Sequence, residues 1–203
     1  ELNRKPPPPG LAVVTHGLCP IVHSADDLSV VEALEAVPHI LASGRAMAGD
    51  ADYWLGPSTI AMRHNPYGSR TIPNPGRGRV CMTDDDPRQD TSFAAAWACG
   101  LAAAIAPAGL SVWTPAEVLG PRGLFAPDGR PRPVAGVVAA LAALAGAPVH
   151  DARGGDLVRL HLGGRVLRAN LTPHAQAGLA PWGWDQDDAP DLQAGAGRPK
   201  PWA

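Results

Sequence analysis

The sequence lacks the features that mark several classes of protein. Its three cysteines, Cys19, Cys81 and Cys99, form no CxxC pair, which argues against a disulfide framework or a cysteine-based zinc site and favours a reducing, cytoplasmic setting. The 17 Lys and Arg residues are scattered through a chain of formal net charge -2, so we expect no nucleic-acid partner. No stretch approaches the roughly 18 apolar residues of a membrane span, so we expect no membrane partner either.

Several catalytic motifs are missing as well. No GxGxxG follows a predicted strand, which removes the phosphate-binding loop of a dinucleotide site. The segment "GPSTI" has Ile60 where the nucleophile elbow GxSxG of serine hydrolases has its second glycine. The spacing of His16 and His23 matches neither HxH nor HExxH. We therefore predict no cofactor and no metal site.

The hydrophobic pattern that is present predicts strands alternating with helices. The predicted strands lie at 11–16, at 53–63 and in "LSVWTPAEVLG"; the predicted helices run from Asp27 to about Met47, from Thr91 to Ala108 and through "PVAGVVAALAALAG". Ser24 or Asp26 is the predicted N-cap of the first helix, and Pro38 predicts a kink in it. This alternation is typical of parallel βαβ units, with the helices outside the sheet.

Three βα units favour the C-terminal half of a TIM (β/α)8 barrel, because a whole barrel takes about 250 residues. A doubly wound sheet is the alternative, and the missing GxGxxG argues against it. The chain starts at Glu1 without an initiator Met, so we expect the N-terminal half of the barrel to precede it. We predict the last βα units over 1–148, an antiparallel β appendage with a hairpin at Gly163-Gly164 over 149–180, and a disordered tail over 181–203.

The barrel geometry selects the candidate site residues, because active sites of this fold lie at the C-terminal ends of the strands. They are Glu1, Asn3 and Arg4 after the entry strand; His16, His23, Ser24 and Asp26 after the next; Arg63, His64, Asn65 and Tyr67 after the third; and Thr114 and Glu117 after the last. Arg63 offers a fork of donors, and Asn65 and Tyr67 add neutral ones, which suits a small polyhydroxylated acid or lactone. Helix capping, core packing and an ordinary turn remain alternatives for these segments.

Five segments in the same order resemble the C-terminal half of the D-apionate lactonase family. They are "ELNRKPP", "VTHGLCPIVHSADDLSVVEALEAVPHI", "GPSTIAMRHNPYG", "NPGRGRVCMTDDDPRQ" and "FAAAWACGLAAAIAPAG". The resemblance covers about residues 1–171. It implies a glycosidase-like TIM barrel with a β-rich appendage, and an enzyme of apiose catabolism that opens D-apionolactone to D-apionate.

Lactone opening needs a base for water, donors for the developing oxyanion and an acid for the leaving alkoxide. The predicted catalytic residues are His23 or His16 as the base, Asp26 to orient it, and Glu1 as the acid or a substrate ligand. The predicted substrate-binding residues are Arg63 and Asn65 as oxyanion donors, with Tyr67, Asn3, Arg4 and Ser24. A glycoside hydrolase-like barrel enzyme and a non-catalytic carbohydrate-binding remnant are the alternatives, and the oligomeric state is left open.

Overall fold

Three parallel strands form the first sheet. In a computed structural model of the chain, which describes residues 4–65 and 67–189, they are β1 (Val13–Leu18), β2 (Asp52–Ser58) and β3 (Val112–Trp113). The sheet has the order β1-β2-β3, so spatial neighbours are also neighbours along the chain. Helical segments join consecutive strands, which confirms the predicted βαβ alternation.

The first connection contains two helices where one kinked helix was predicted. These are α1 (Asp27–Glu32) and α2 (Val37–Ala48), with a 3-10 turn at Ala33–Ala36 between them. Pro38 lies in the first turn of α2, where its missing N–H removes no helical hydrogen bond. The helix predicted to kink at Pro38 is therefore interrupted just before the proline, by the 3-10 turn.

The second connection contains the central helix of the molecule, α3 (Ser92–Ile105), every residue of which from Phe93 onward is buried. A helix that is apolar all round belongs in an interior. A Cβ added to Gly100 would lie 2.6 Å from Leu34 Cδ1 and 3.1 Å from Leu171 Cδ1. Small residues on α3 thus allow close packing against both the 3-10 turn of the first connection and the second sheet.

The second sheet is antiparallel and follows α4 (Pro133–Ala143). Its strands are β4 (Val149–Arg153), β5 (Leu157–Leu162), β6 (Arg165–Asn170) and β7 (Trp184–Asp188), in the order β4-β5-β6-β7. β5 and β6 are joined at Gly163-Gly164, with Gly163 at φ +54°, so the predicted hairpin is confirmed. Both sheets contribute to one hydrophobic core around α3.

Some predicted boundaries are wrong. A disordered chain was predicted from residue 181, but residues 184–188 form β7, because Trp184 packs on Gly136 of α4 and Asp185 pairs with Arg168 of β6. The remainder of that predicted tail, 190–203, lies outside the described residues, as do Glu1 and Asn3. Among the helices of the described ranges, none is both long and apolar enough to cross a membrane.

Candidate active site

A cavity of about 900 Å³ opens beside the C-terminal end of β1. Four parts of the chain enclose it: the amino-terminal segment at Lys5, the end of β1, one side of α2 and the loop that follows β2. The titratable side chains that line it are Lys5, His16, Cys19, His39, Arg63, His64 and Tyr67. Four of the candidate site residues, His16, Arg63, His64 and Tyr67, therefore line the cavity, and His39 is added to them.

His16 lies within β1, two residues before the end of the strand, whereas the predicted strand ended at His16 itself. It shares a face of the sheet with Val14, which is buried against the helices. Its Nδ1 lies 2.9 Å from the carbonyl oxygen of Gly17, which can only accept a hydrogen bond. Nδ1 therefore carries the proton, and Nε2 accepts the hydrogen bond of the Tyr53 hydroxyl at 2.6 Å. Both ring nitrogens are engaged, which argues against His16 as a free base.

Tyr53 holds His16 from inside the core. The tyrosine is fully buried, and burial raises the pKa of its hydroxyl above the ordinary value, with the nearby Arg45 opposing that shift. A Cβ added to Gly44 of α2 would lie 2.0 Å from the Tyr53 hydroxyl oxygen. The glycine thus leaves the space that lets Tyr53 reach His16. No local sequence pattern predicts this arrangement.

The loop after β2 presents Arg63, His64 and Tyr67 through a clamp made by Asn65. The Asn65 side chain is buried; its Oδ1 accepts from the Tyr67 backbone N–H at 2.9 Å, and its Nδ2 donates to the Arg70 carbonyl oxygen at 3.0 Å. Asn65 therefore shapes the turn, and its amide is occupied by the loop itself. Arg63 makes no hydrogen bond or ion pair with the rest of the described chain, which leaves its guanidinium available to a ligand.

Arg4 extends this group from the amino-terminal side. Its guanidinium carbon lies 5.8 Å from the centre of the Tyr67 ring, within the range of a cation–π contact. Tyr67 is 58% exposed, so the contact lies at the mouth of the cavity. Arg4 and Tyr67, two of the predicted substrate-binding residues, therefore contact each other.

His23, Ser24 and Asp26 are not among the residues that line the cavity. His23 is exposed. Asp26 is the N-cap of α1: its carboxylate accepts from Ser24 Oγ at 2.6 Å, from the Ser29 N–H at 2.9 Å and from Ser29 Oγ at 2.7 Å. These hydrogen bonds, that of Ser24 first, hold the pKa of Asp26 well below its usual range. The capping alternative thus fits Ser24 and Asp26.

The other reactive groups of the cavity wall are restrained. Burial raises the pKa of the Cys19 thiol to about 11, and Cys19 donates a hydrogen bond to the Ile60 carbonyl oxygen at 3.3 Å, so the thiol is a poor nucleophile. No Asp or Glu is among the described residues that line the cavity. Over 4–65 and 67–189, no group of three or more His, Cys, Asp or Glu side chains is arranged to hold a metal ion.

Loop 84–90 lies outside the lining of the cavity and is attached to the first helix. Arg88 is buried and donates to both carboxylate oxygens of the fully buried Asp86, at 2.9 and 2.7 Å. It also contacts Asp27, the first residue of α1, at 3.2 Å. Arg88 therefore ties this loop to the start of the first helix.

Comparisons with known proteins agree on one family. The family described as D-apionate lactonase, TIM barrel domain, matches residues 1–146. The D-apionate lactonase of Brucella anthropi is 48% identical over 153 residues, a match that covers 72% of this chain and 25% of the relative. The chain thus spans about a quarter of the length of that relative. No solved structure matches the chain.

Proposed function

Because this chain belongs to the D-apionate lactonase family, we propose that it forms part of an enzyme that hydrolyses a sugar-derived lactone, D-apionolactone, to the free acid. The observation that supports this most directly is the group of Arg63, His64 and Tyr67, which the Asn65 clamp presents at one wall of the cavity. The group follows β2 on the side where parallel strands end, which is where barrel enzymes bind substrates.

The fold part of the proposal is that β1, β2 and β3 are consecutive strands of a TIM barrel, with further strands supplied by chain outside these 203 residues. Residues 1–148 would hold the βα units, and the antiparallel sheet from residue 149 would be the appendage. The face of the sheet opposite the helices supports this, because Trp54 is 38% exposed and its neighbour Val112 is 40% exposed. In a closed barrel that face lies inside, where side chains from other strands cover it.

The proposed reaction assigns the base to His64. The imidazole removes a proton from water, the water oxygen attacks the lactone carbonyl carbon, and the ring C–O bond then breaks. The same imidazole returns its proton to the departing alkoxide, so the proton balance closes without a separate acid. Among the histidines proposed for this step, His16 has both nitrogens engaged and His23 lies outside the cavity lining, whereas His64 lines the cavity beside Arg63.

Arg63 is proposed to stabilise the oxyanion that forms at the carbonyl oxygen. A guanidinium without an internal partner has donors to offer a charge that develops in the transition state. The Tyr67 hydroxyl is proposed to bind a sugar hydroxyl, and Arg4 to hold the Tyr67 ring in place. Asn65 acts through the loop, as a positioning residue.

The lining of the cavity favours a lactonase over a glycosidase. A glycosidase of the common types needs two carboxyl groups on either side of the scissile bond. The cavity walls, as far as the described residues form them, offer histidine, arginine, lysine and tyrosine and no carboxylate. Base and oxyanion donors without a carboxylate pair suit ester opening better than acetal cleavage.

The test uses a chimeric protein in which this chain replaces the matched segment of the Brucella anthropi D-apionate lactonase. Acid release from D-apionolactone is followed with and without a chelator. We expect turnover that survives chelation, a loss of about 10² to 10⁴-fold in kcat for His64→Gln, and little change for the control His39→Gln, a histidine that lines the same cavity from α2.

Two results would count against the proposal. A chimera that folds but does not hydrolyse the lactone would refute the proposed reaction. Full turnover in His64→Gln would refute His64 as the base. The variants His16→Gln and His23→Gln would then show which of the other two histidines acts as the base. Arg63→Met should lower kcat by about 10² to 10³-fold if Arg63 faces the oxyanion.

A further inference from the structure

We propose that the groove between β1 and α2 is a docking site for another helix of the same barrel, and that this part of the cavity does not bind the substrate. The groove is formed by His16 of β1, by Ala36 at the end of the 3-10 turn, and by Ile40, Ser43 and Met47 of α2. The proposal rests on the proposed barrel and is independent of the proposed reaction. Its occupant is the amphipathic helix of the βα unit whose strand would lie next to β1.

The edge of the sheet is the first observation. Within the described chain, β1 pairs on one side only, with β2, and its residues His16, Gly17 and Leu18 line the cavity. An open edge of a parallel strand is a template for a further strand. Because βαβ connections are right-handed, the helix that leads into β1 from such a strand lies on the face of the sheet that α2 covers.

The pattern on α2 is the second observation. Ala36, Ile40, Ser43 and Met47 recur at the i, i+4, i+7, i+11 spacing of one helix face. This face differs from the one that α2 buries against the core, which carries Val37, Leu41, Gly44 and Ala48. Apart from His39, which also lines the cavity from α2, the side chains of this face are small or apolar, and Ile40 is 43% exposed, which suits the close approach of a neighbouring helix.

The polar groups of the groove are the third observation. His16, its largest polar group on the strand side, has already satisfied both nitrogens through Gly17 and Tyr53. A polar side chain that needs no partner from outside can be covered by an apolar surface at little cost. A substrate would find no free donor or acceptor on this imidazole, whereas a packed helix requires none.

The length of the family's proteins supports the choice of occupant. The chain covers only 25% of the Brucella anthropi relative, so enough chain lies outside the match to supply further βα units. A covered groove would confine the substrate to the opposite end of the cavity, at Arg63, His64 and Tyr67. The cavity would then be smaller in the whole protein than the present 900 Å³.

Cysteine labelling tests the proposal. Ser43→Cys places a thiol in the groove, and Ala42→Cys places one at an exposed position of the same helix that does not line the groove. Both are made in a background with Cys19→Ser and Cys81→Ser, because these two native thiols are partly exposed and Cys19 lines the cavity. The maleimide reaction rate is measured in the isolated chain and in the chimeric protein. We expect the Ser43→Cys thiol to react at least about 10-fold more slowly in the chimera, and the Ala42→Cys thiol to react equally in both.

Three outcomes would overturn the docking proposal. One is equal reactivity of the Ser43→Cys thiol in the two proteins. Another is protection in the isolated chain that grows with protein concentration, which would identify a second copy as the occupant. If the chimera does not fold, the cysteine is placed at the aligned position of the Brucella anthropi protein itself. The third outcome against the proposal is a thiol at that position that reacts readily with maleimide. None of these readings depends on lactone turnover, so the two proposals can fail separately.

Discussion

Replacement of Gly44 by alanine tests the contact that connects α2, Tyr53 and His16. The added methyl carbon would lie 2.0 Å from the Tyr53 hydroxyl oxygen and 2.7 Å from Tyr53 Cζ, far inside contact distance. Tyr53 is fully buried, so its ring cannot move aside without disturbing the core. The expected result is a loss of stability, although alanine is the better helix former.

The expected loss of stability follows from three effects, two of which destabilise the folded protein and one of which stabilises it. Overpacking a core site costs about 1 to 3 kcal/mol, and such short contacts place this site toward the upper end. Displacing the Tyr53 hydroxyl removes the hydrogen bond to His16, at about 0.5 to 1.5 kcal/mol. The gain in helix propensity returns about 1 kcal/mol. The net loss is about 3 kcal/mol, or about 6 to 12 °C in Tm for a chain of this size.

Urea unfolding followed by circular dichroism measures the effect, with Gly164→Ala as the control. Gly164 has nothing within 4 Å of an added Cβ, so that variant should unfold like the wild type. In Gly44→Ala with Tyr53→Phe, the loss should be smaller than the sum of the two single losses, because the same hydroxyl is involved in both. A Gly44→Ala protein as stable as the wild type would refute the close contact between α2 and Tyr53.

Three further substitutions test the charges and buried polar groups. Arg88→Met should cost about 3 to 5 kcal/mol, because it leaves the fully buried Asp86 without its partner; Arg130→Met, at an exposed pair, should unfold at the wild-type urea concentration. Asp26→Ala should lower stability at neutral pH. Since the pKa of Asp26 is lowered in the folded chain, its contribution is complete above the ordinary value of about 3.9 and is lost as the pH falls through the folded-state value, so the variant and wild type should converge in acid. His161→Leu should be neutral or stabilising in thermal unfolding, because both ring nitrogens of the buried His161 lack a hydrogen-bond partner among the described residues; a clear loss would reveal a partner.

Local sequence patterns were sufficient to predict the elements whose signal lies within a short stretch of the chain. The Ala-rich helix α3, the hairpin at Gly163-Gly164 and the Asp26 cap each carry their signal within a few neighbouring residues. β7 was missed because its residues alternate poorly, and its stability comes from distant partners, Gly136 on α4 and Arg168 on β6. A contact between residues far apart in the chain leaves no periodic trace in either segment.

The difference between local signals and contacts between distant residues also explains why the sequence pointed to His16 as a base. In β1, the alternation of side chains places His16 on the face of Val14, and the burial of Val14 assigns that face to the helices. Tyr53 takes up the free nitrogen of His16 only because Gly44, on another element, leaves room for its hydroxyl. Both nitrogens of the histidine that was predicted as the base are thus engaged, through a contact that the sequence does not show. The proposed base is therefore His64, on a loop whose shape is set by Asn65, which was first predicted to bind the substrate.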